Sequence, residues 1–136
     1  MASELSQAIE QSKEVFITTY DSTGKPGTVP VWFDYHQGKF YVSTYPDSLK
    51  CQKIRQNPGV KLTWITRDGP SLSGTARPVS DWETLERVAP VHYRKYPDGP
   101  WNSVEHLIGQ LSFSMHLQVF IVHVLEYFQM QLKERM

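Results

Sequence analysis

The sequence predicts a mainly β fold, a six-stranded antiparallel barrel with helical insertions. Three observations predict it. Six short runs are rich in β-branched and aromatic residues. Turn clusters at Asp21–Gly24, His36–Gly38 and Arg67–Pro70 separate consecutive runs. Helical periodicity is confined to short stretches before or between them.

Taken in order, Ser3 to Ser12 reads as a short amphipathic helix, with Leu5, Ala8 and Ile9 at helical spacing behind Ser3 as a cap. Val15 to Tyr20 is a first strand. Gly27 to Tyr35 is a second, with Val29, Val31, Phe33 and Tyr35 on one face, and Lys39 to Thr44 is a third. Tyr45-Pro46-Asp47-Ser48 opens a helix that continues through Leu49, Lys50, Lys53 and Ile54 and ends at Asn57-Pro58-Gly59. Val60 to Thr66 and Ser71 to Val79 are the fourth and fifth strands. Ser80-Asp81-Trp82-Glu83 matches a capping box, and a helix runs from it toward Tyr96, with Pro90 as a point of disturbance. A loop at Pro97–Pro100 precedes a short helix near Asn102 to Ile108. In the last segment, Val119 to Val124 is β-branched and apolar on both faces, which suits a barrel strand that also makes a subunit contact. A helix is the competing reading there, and Leu125 to Arg135 is rich in helix formers.

The chain has 136 residues, 40% hydrophobic and 21% charged, enough for one core without disulfides or metal staples. No linker, repeat or low-complexity stretch divides it, so residues 1–136 are expected to form a single domain. Fourteen Lys and Arg balance fourteen Asp and Glu, which excludes a broad basic footprint for nucleic acid. A formal charge of zero also offers little resistance to self-association. Cys51 is the single cysteine, so neither a disulfide framework nor a cysteine-based zinc site is expected. The N-terminus is polar, without the apolar stretch of a signal peptide, and no run approaches the ~20 apolar residues of a spanning helix. A cytoplasmic location without membrane contact is the expectation.

The chemistry-bearing stretch is VPVWF (Val29–Phe33), then FYVST (Phe40–Thr44), then Ser48-Leu49-Lys50. A strand ends in two hydroxyls, and a helix starts a few residues later. Helix N-termini offer unpaired N–H groups and partial positive charge to an anion. Ser43, Thr44 and Ser48 add hydroxyl donors, Lys50 a mobile cation, and Lys53 a second one a turn later. A phosphate monoester suits that set. The same residues also make an ordinary strand-to-helix turn with solvated lysines.

The order and spacing of VPVWF, YVST, S-x-K, the helix-ending Asn57-Pro58 and Gly74 in LSGTARPV resemble the flavin-binding split-barrel proteins related to pyridoxamine 5'-phosphate oxidase. The likeness is closest to their short members, which bind FMN or the deazaflavin F420, and runs from about Val15 to Val79. It implies a split barrel in which the backbone of Pro30, Val31, Trp32 and Phe33 lies along the isoalloxazine ring. It implies that Ser43 and Thr44 are the hydroxyl pair and that Lys50 meets the phosphate. It also implies a homodimer whose cofactor cleft is built from both protomers. Three positions depart from the family pattern. Leu49 stands where an Arg is common, Lys53 where an Asn is common, and Gly69 near where the oxidases place a ring-contacting Gln. The tail, Gln131–Met136, lacks the arginines and histidine that hold pyridoxamine phosphate, so the vitamin B6 oxidase reaction is not implied.

The remaining polar residues give no second site. His36, His92, His106, His116 and His123 have no compact metal-ligand spacing. His36 falls in a turn and His92 on a helix face. Cys51 reads as a buried helix residue, and no nucleophile elbow is present. Asp81 and Glu83 read as a helix cap. Trp64, Trp82 and Trp101 read as core or interface anchors, whereas Trp32 lies on the strand that the resemblance assigns to the flavin. The sequence therefore leads to an FMN-binding oxidoreductase of small-molecule substrates. An F420-dependent reductase and a non-enzymatic flavin-binding module are the alternatives.

Overall fold

A computed structural model describes residues 2–44, 49–79, 82–99, 103 and 118–123. In chain order the elements are α1 (Ala2–Gln11), β1 (Glu14–Tyr20), β2 (Pro26–His36), β3 (Lys39–Thr44), α2 (Leu49–Gln56), β4 (Gly59–Thr63), β5 (Ser71–Val79), α3 (Trp82–Lys95) and β6 (Gln118–His123). The strands close an antiparallel barrel in the order β1-β2-β3-β6-β5-β4. The expected mainly β barrel with helical insertions is the observed architecture. The predicted helix start at Tyr45–Ser48, the Ser80–Asp81 half of the capping box, the helix near 102–108 apart from Ser103, and the tail after 123 lie outside the described residues.

Local chemistry sets each turn. Asp21 Oδ1 accepts from Thr23 Oγ1 at 2.6 Å and from the Thr23 and Lys25 amides at 2.9 Å each. These bonds, the Thr23 hydroxyl first, hold its carboxyl below the usual carboxylate range. Between β2 and β3, Gln37 and Gly38 both take positive φ, 51° and 81°. That is the two-residue hairpin turn whose twist matches the flanking strands.

Two expectations are corrected. The fourth strand, predicted to reach Thr66, ends at Thr63. The Thr66 amide bonds back to the Trp64 carbonyl at 2.9 Å, and Ile65 between them takes φ 76°. This three-residue turn takes the chain out of the ladder. The first helix begins at Ala2, one residue ahead of the predicted cap at Ser3.

The core is an aromatic cluster inside the barrel. Phe33, Phe40 and Trp64 are fully buried, and the Trp64 ring lies 5.8 Å from Phe33, edge-on, and 5.5 Å from Phe40. Leu5, Ala8 and Ile9 from α1 and Ile54 from α2 pack onto the same cluster. In α3, Leu85, Val88, Ala89 and His92 are buried at helical spacing, and the helix runs through Pro90 to Lys95. The final segment resolves in favour of a strand: β6 pairs with β3 on one side and β5 on the other.

Candidate functional site

The barrel is forked between β2 and β3. The two strands pair through four rungs, from His36–Lys39 to Phe33–Val42. Beyond Phe33, β2 continues along β1 from Trp32 to Pro26, while Ser43 and Thr44 of β3 continue along β6. The fork explains a burial pattern that strand alternation alone does not. Val29 was expected on the core face with Val31 and Phe33, yet it is 41% exposed beside those two buried neighbours. Pro30 is exposed and Trp32 is 39% exposed. The stretch Pro30–Phe33 thus buries Val31 and Phe33 in the core and leaves Pro30 and part of Trp32 open to solvent.

Of the other predicted residues, the structure brings Ser43, Thr44 and Lys53 to the two diverging strands. Ser43 and Thr44 form the second arm of the fork. Lys50 lies in the first turn of α2, six positions after Thr44, while Ser48 lies outside the described residues. Leu49 is 66% exposed at the start of that helix. Lys53, one turn on, reaches β2: a Cβ built on Gly27 would lie 2.8 Å from the Lys53 ammonium. The absence of a side chain at Gly27 makes a cradle that lets this cation rest against the strand. Two features of this arrangement fit a phosphorylated planar cofactor: an accessible strand surface and a cation seated on the same strand.

Sequence reasoning missed a second group of residues, which ties α3 to the back of β2. Asp34 and His92 are both buried, and His92 Nδ1 donates to Asp34 Oδ2 at 2.6 Å. Tyr96 Oη accepts from the Phe33 amide at 3.1 Å and shares its proton between the carbonyls of Phe33 at 2.8 Å and Lys13 at 2.5 Å. It therefore stands where the next β1–β2 rung would be. The Tyr96 ring stacks on the Trp32 indole at 4.3 Å with 6° between planes. Lys95 Nζ donates to the Phe33 carbonyl at 2.6 Å and lies 3.5 Å from the centroid of the Phe33 ring. Residues 32–34 are thus held from behind by one helix turn. A signal for this clamp was present in WFDYH, where an acid interrupts an otherwise aromatic strand, but its partner lies 58 residues away.

A pocket of about 160 Å³ opens beside Trp32, lined by Lys13, Trp32, Tyr96, Pro97, Asp98 and Gly99. It falls below the roughly 300–1,000 Å³ of sites that hold drug-sized ligands.

The clamp gives a pH dependence. Burial lowers the Lys95 pKa to about 8, partly offset by the Asp34 carboxylate. Between pH 8 and pH 10 the unfolded chain then binds more protons at this residue than the folded one, so its contribution to stability rises with pH. Above pH 10 the buried Tyr96 hydroxyl, held well above the usual phenol range, works in the opposite sense. Urea unfolding at pH 7.5 and 9.5 is expected to show Lys95→Met gaining relative to wild type at the lower pH. An equal difference at both pH values contradicts the assignment.

Comparison with known proteins identifies the fold's relatives. A sequence search of curated proteins gives no significant match. Among solved structures, the heme storage protein of Vibrio cholerae superposes with a TM-score of 0.70 at 16% identity, covering 90% of this chain and 88% of that one. A Clostridium acetobutylicum protein related to general stress protein 26 of B. subtilis, of the pyridoxinephosphate oxidase family, gives 0.63 at 20% identity, with 90% and 82% covered. An F420 reductase gives 0.62 at 18% identity, with 87% and 90% covered. At such identities these likenesses establish the fold. The family model for pyridoxamine 5'-phosphate oxidase matches residues 1–109, well over half of the sequence. The chain therefore belongs to the pyridoxamine 5'-phosphate oxidase family.

Proposed function

We propose that this protein is an FMN-binding oxidoreductase acting on a small-molecule substrate as a homodimer. The observation that carries the reading is the fork itself. It joins a solvent-accessible stretch of β2 to a lysine cradled on Gly27, next to the start of the helix bearing Lys50. The backbone of Pro30–Phe33 would orient the ring. The hydroxyls of Ser43, Thr44 and Ser48, with Lys50 and Lys53, would hold the phosphate. When bound, the flavin supplies the hydride and electron chemistry, and the chain supplies binding, orientation and shelter from water. No side chain at the fork is required as a general acid or base on this reading. Among the described residues, no helix is long and apolar enough to cross a membrane, and no membrane or nucleic-acid partner enters the proposal.

The reading is tested by titrating purified protein with FMN, F420 and heme while following protein fluorescence. FMN is expected to saturate at one equivalent per chain with the tightest binding. Tighter binding of F420 transfers the chemistry to the deazaflavin on the same fork, and preference for heme contradicts the proposal.

The dimer can be tested at β6. Directly opposed residues on neighbouring strands share a face. The outer members of the rung Phe40–Val122–Ala76 both belong to the core cluster, whereas in Tyr41–Ile121–Arg77 the tyrosine is buried outside that cluster and the arginine is exposed. Ile121→Glu is therefore the interface probe, and Val122→Glu is expected to prevent folding. By light scattering at micromolar concentration, wild type is expected to be a dimer and Ile121→Glu a folded monomer that no longer retains FMN. A monomeric wild type with flavin still bound contradicts the shared site.

A further inference from the structure

Arg67 lies on the β4–β5 turn, outside every residue set that the sequence assigns to the site, and the structure brings it to the fork. Its guanidinium crosses the outer face of β1, 5.0 Å from the centroid of the Phe16 ring, and Nη1 donates to the Thr28 carbonyl at 3.0 Å. The direction of that carbonyl follows from strand geometry. The Phe33 amide and carbonyl point toward β1, because both meet the Tyr96 hydroxyl that also bonds Lys13 at the start of β1. Backbone groups alternate along a strand, so the odd positions of β2 face β1 and the even positions face the opposite edge. The hydroxyl contact of Thr18 with Thr28 at 2.8 Å fits this assignment, since side chains approach most closely at the rung without backbone bonds. Thr28 therefore presents its carbonyl to the open edge of β2, where β3 has diverged. Arg67 ends at that edge, two residues from Pro30.

The turn that carries Arg67 is unusually constrained. Ile65 holds φ 76°, a left-handed conformation that β-branched residues avoid, closed by the Thr66 amide on the Trp64 carbonyl. Gly69 closes the same turn onto Thr66 at 3.0 Å, and a Cβ there would lie 2.1 Å from the Trp64 carbonyl oxygen. Strain of this kind persists only where the surroundings enforce it, and it concentrates at functional sites. Here its consequence is positional: it turns the chain back over β1 and delivers a cation to the Thr28 carbonyl on β2.

We propose that Arg67 is the electrostatic partner of the reduced cofactor, favouring the form of the isoalloxazine ring that carries a negative charge. The inference rests on the flavin reading above. A hydride, two electrons and one proton, passes from a reduced nicotinamide-type donor that leaves oxidised, and the ring that accepts it gains one negative charge. A fixed cation at the cleft edge stabilises that product more than the neutral oxidised ring, and so raises the reduction potential.

The test is the two-electron potential of bound FMN in wild type, Arg67→Gln and Arg67→Lys, measured by dithionite titration against a reference dye. Gln keeps a donor for the Thr28 carbonyl and loses the charge, while Lys keeps the charge. Arg67→Gln is expected to weaken reduced relative to oxidised FMN binding about tenfold, a shift of about 30 mV to more negative potential. Arg67→Lys is expected to retain most of the wild-type value. An unchanged or more positive potential in Arg67→Gln, with FMN bound, overturns this inference and leaves the flavin reading standing. Equal shifts in both variants also overturn it, since they assign Arg67 to holding the turn. A wild type that takes up no FMN overturns the flavin reading and this inference with it.

Discussion

Replacing Asp34 with alanine is expected to remove about 1–3 kcal/mol of stability, the usual cost of leaving a buried polar group without its hydrogen-bond partner. Its carboxylate accepts from His92 inside the interface between β2 and α3, and both residues are essentially closed to solvent. Its second oxygen, Oδ1, has no hydrogen-bond partner among the described residues, so the His92 contact is its main compensation. Equilibrium urea unfolding measures the loss. Asp34→Asn keeps an acceptor for His92 and is expected to lose less than the alanine variant. A loss below about 1 kcal/mol for Asp34→Ala would show that the pair is not what fastens α3 to the strand. Because Trp32 and Phe33 precede Asp34, loosening this clamp should also weaken whatever the fork binds.

Lys50→Ala carries the second large effect, on binding. A charge-assisted hydrogen bond contributes about 1.5–3 kcal/mol, roughly tenfold to a hundredfold in affinity. FMN is expected to lose that factor on substitution, whereas riboflavin, which lacks the phosphate, keeps its affinity. Lys53→Ala is expected to act in the same direction to a smaller extent. Fluorescence titration with both ligands reads the difference directly. Equal losses for FMN and riboflavin contradict the phosphate role.

The order of elements was legible because it is written in local chemistry. Asp21 and Gly24 form their turn by bonds within five residues, and Gln37-Gly38 supplies the two left-handed positions of a tight hairpin. The apolar spacing of Leu5, Ala8 and Ile9 marked the buried face of α1. What was hidden depends on contacts distant in sequence. Nothing near Val29 indicates that β3 will leave β2 at Phe33 and uncover it. The Asp34–His92 pair joins positions 58 residues apart, and Tyr96 completes a ladder that begins at Lys13, 83 residues earlier. Arg67 read as a turn residue because its destination, the Thr28 carbonyl, is set by the closure of the barrel. The strand that faces the cofactor in the family resemblance was therefore nameable from the sequence. The residues that brace it from behind were not.

The most direct measurement is mass spectrometry of the small molecule released when the purified protein, loaded from a mixture of FMN, F420 and heme, is denatured. Recovery of FMN at one equivalent per chain is the predicted result. Recovery of heme with no flavin, or of no ligand at all, contradicts the account.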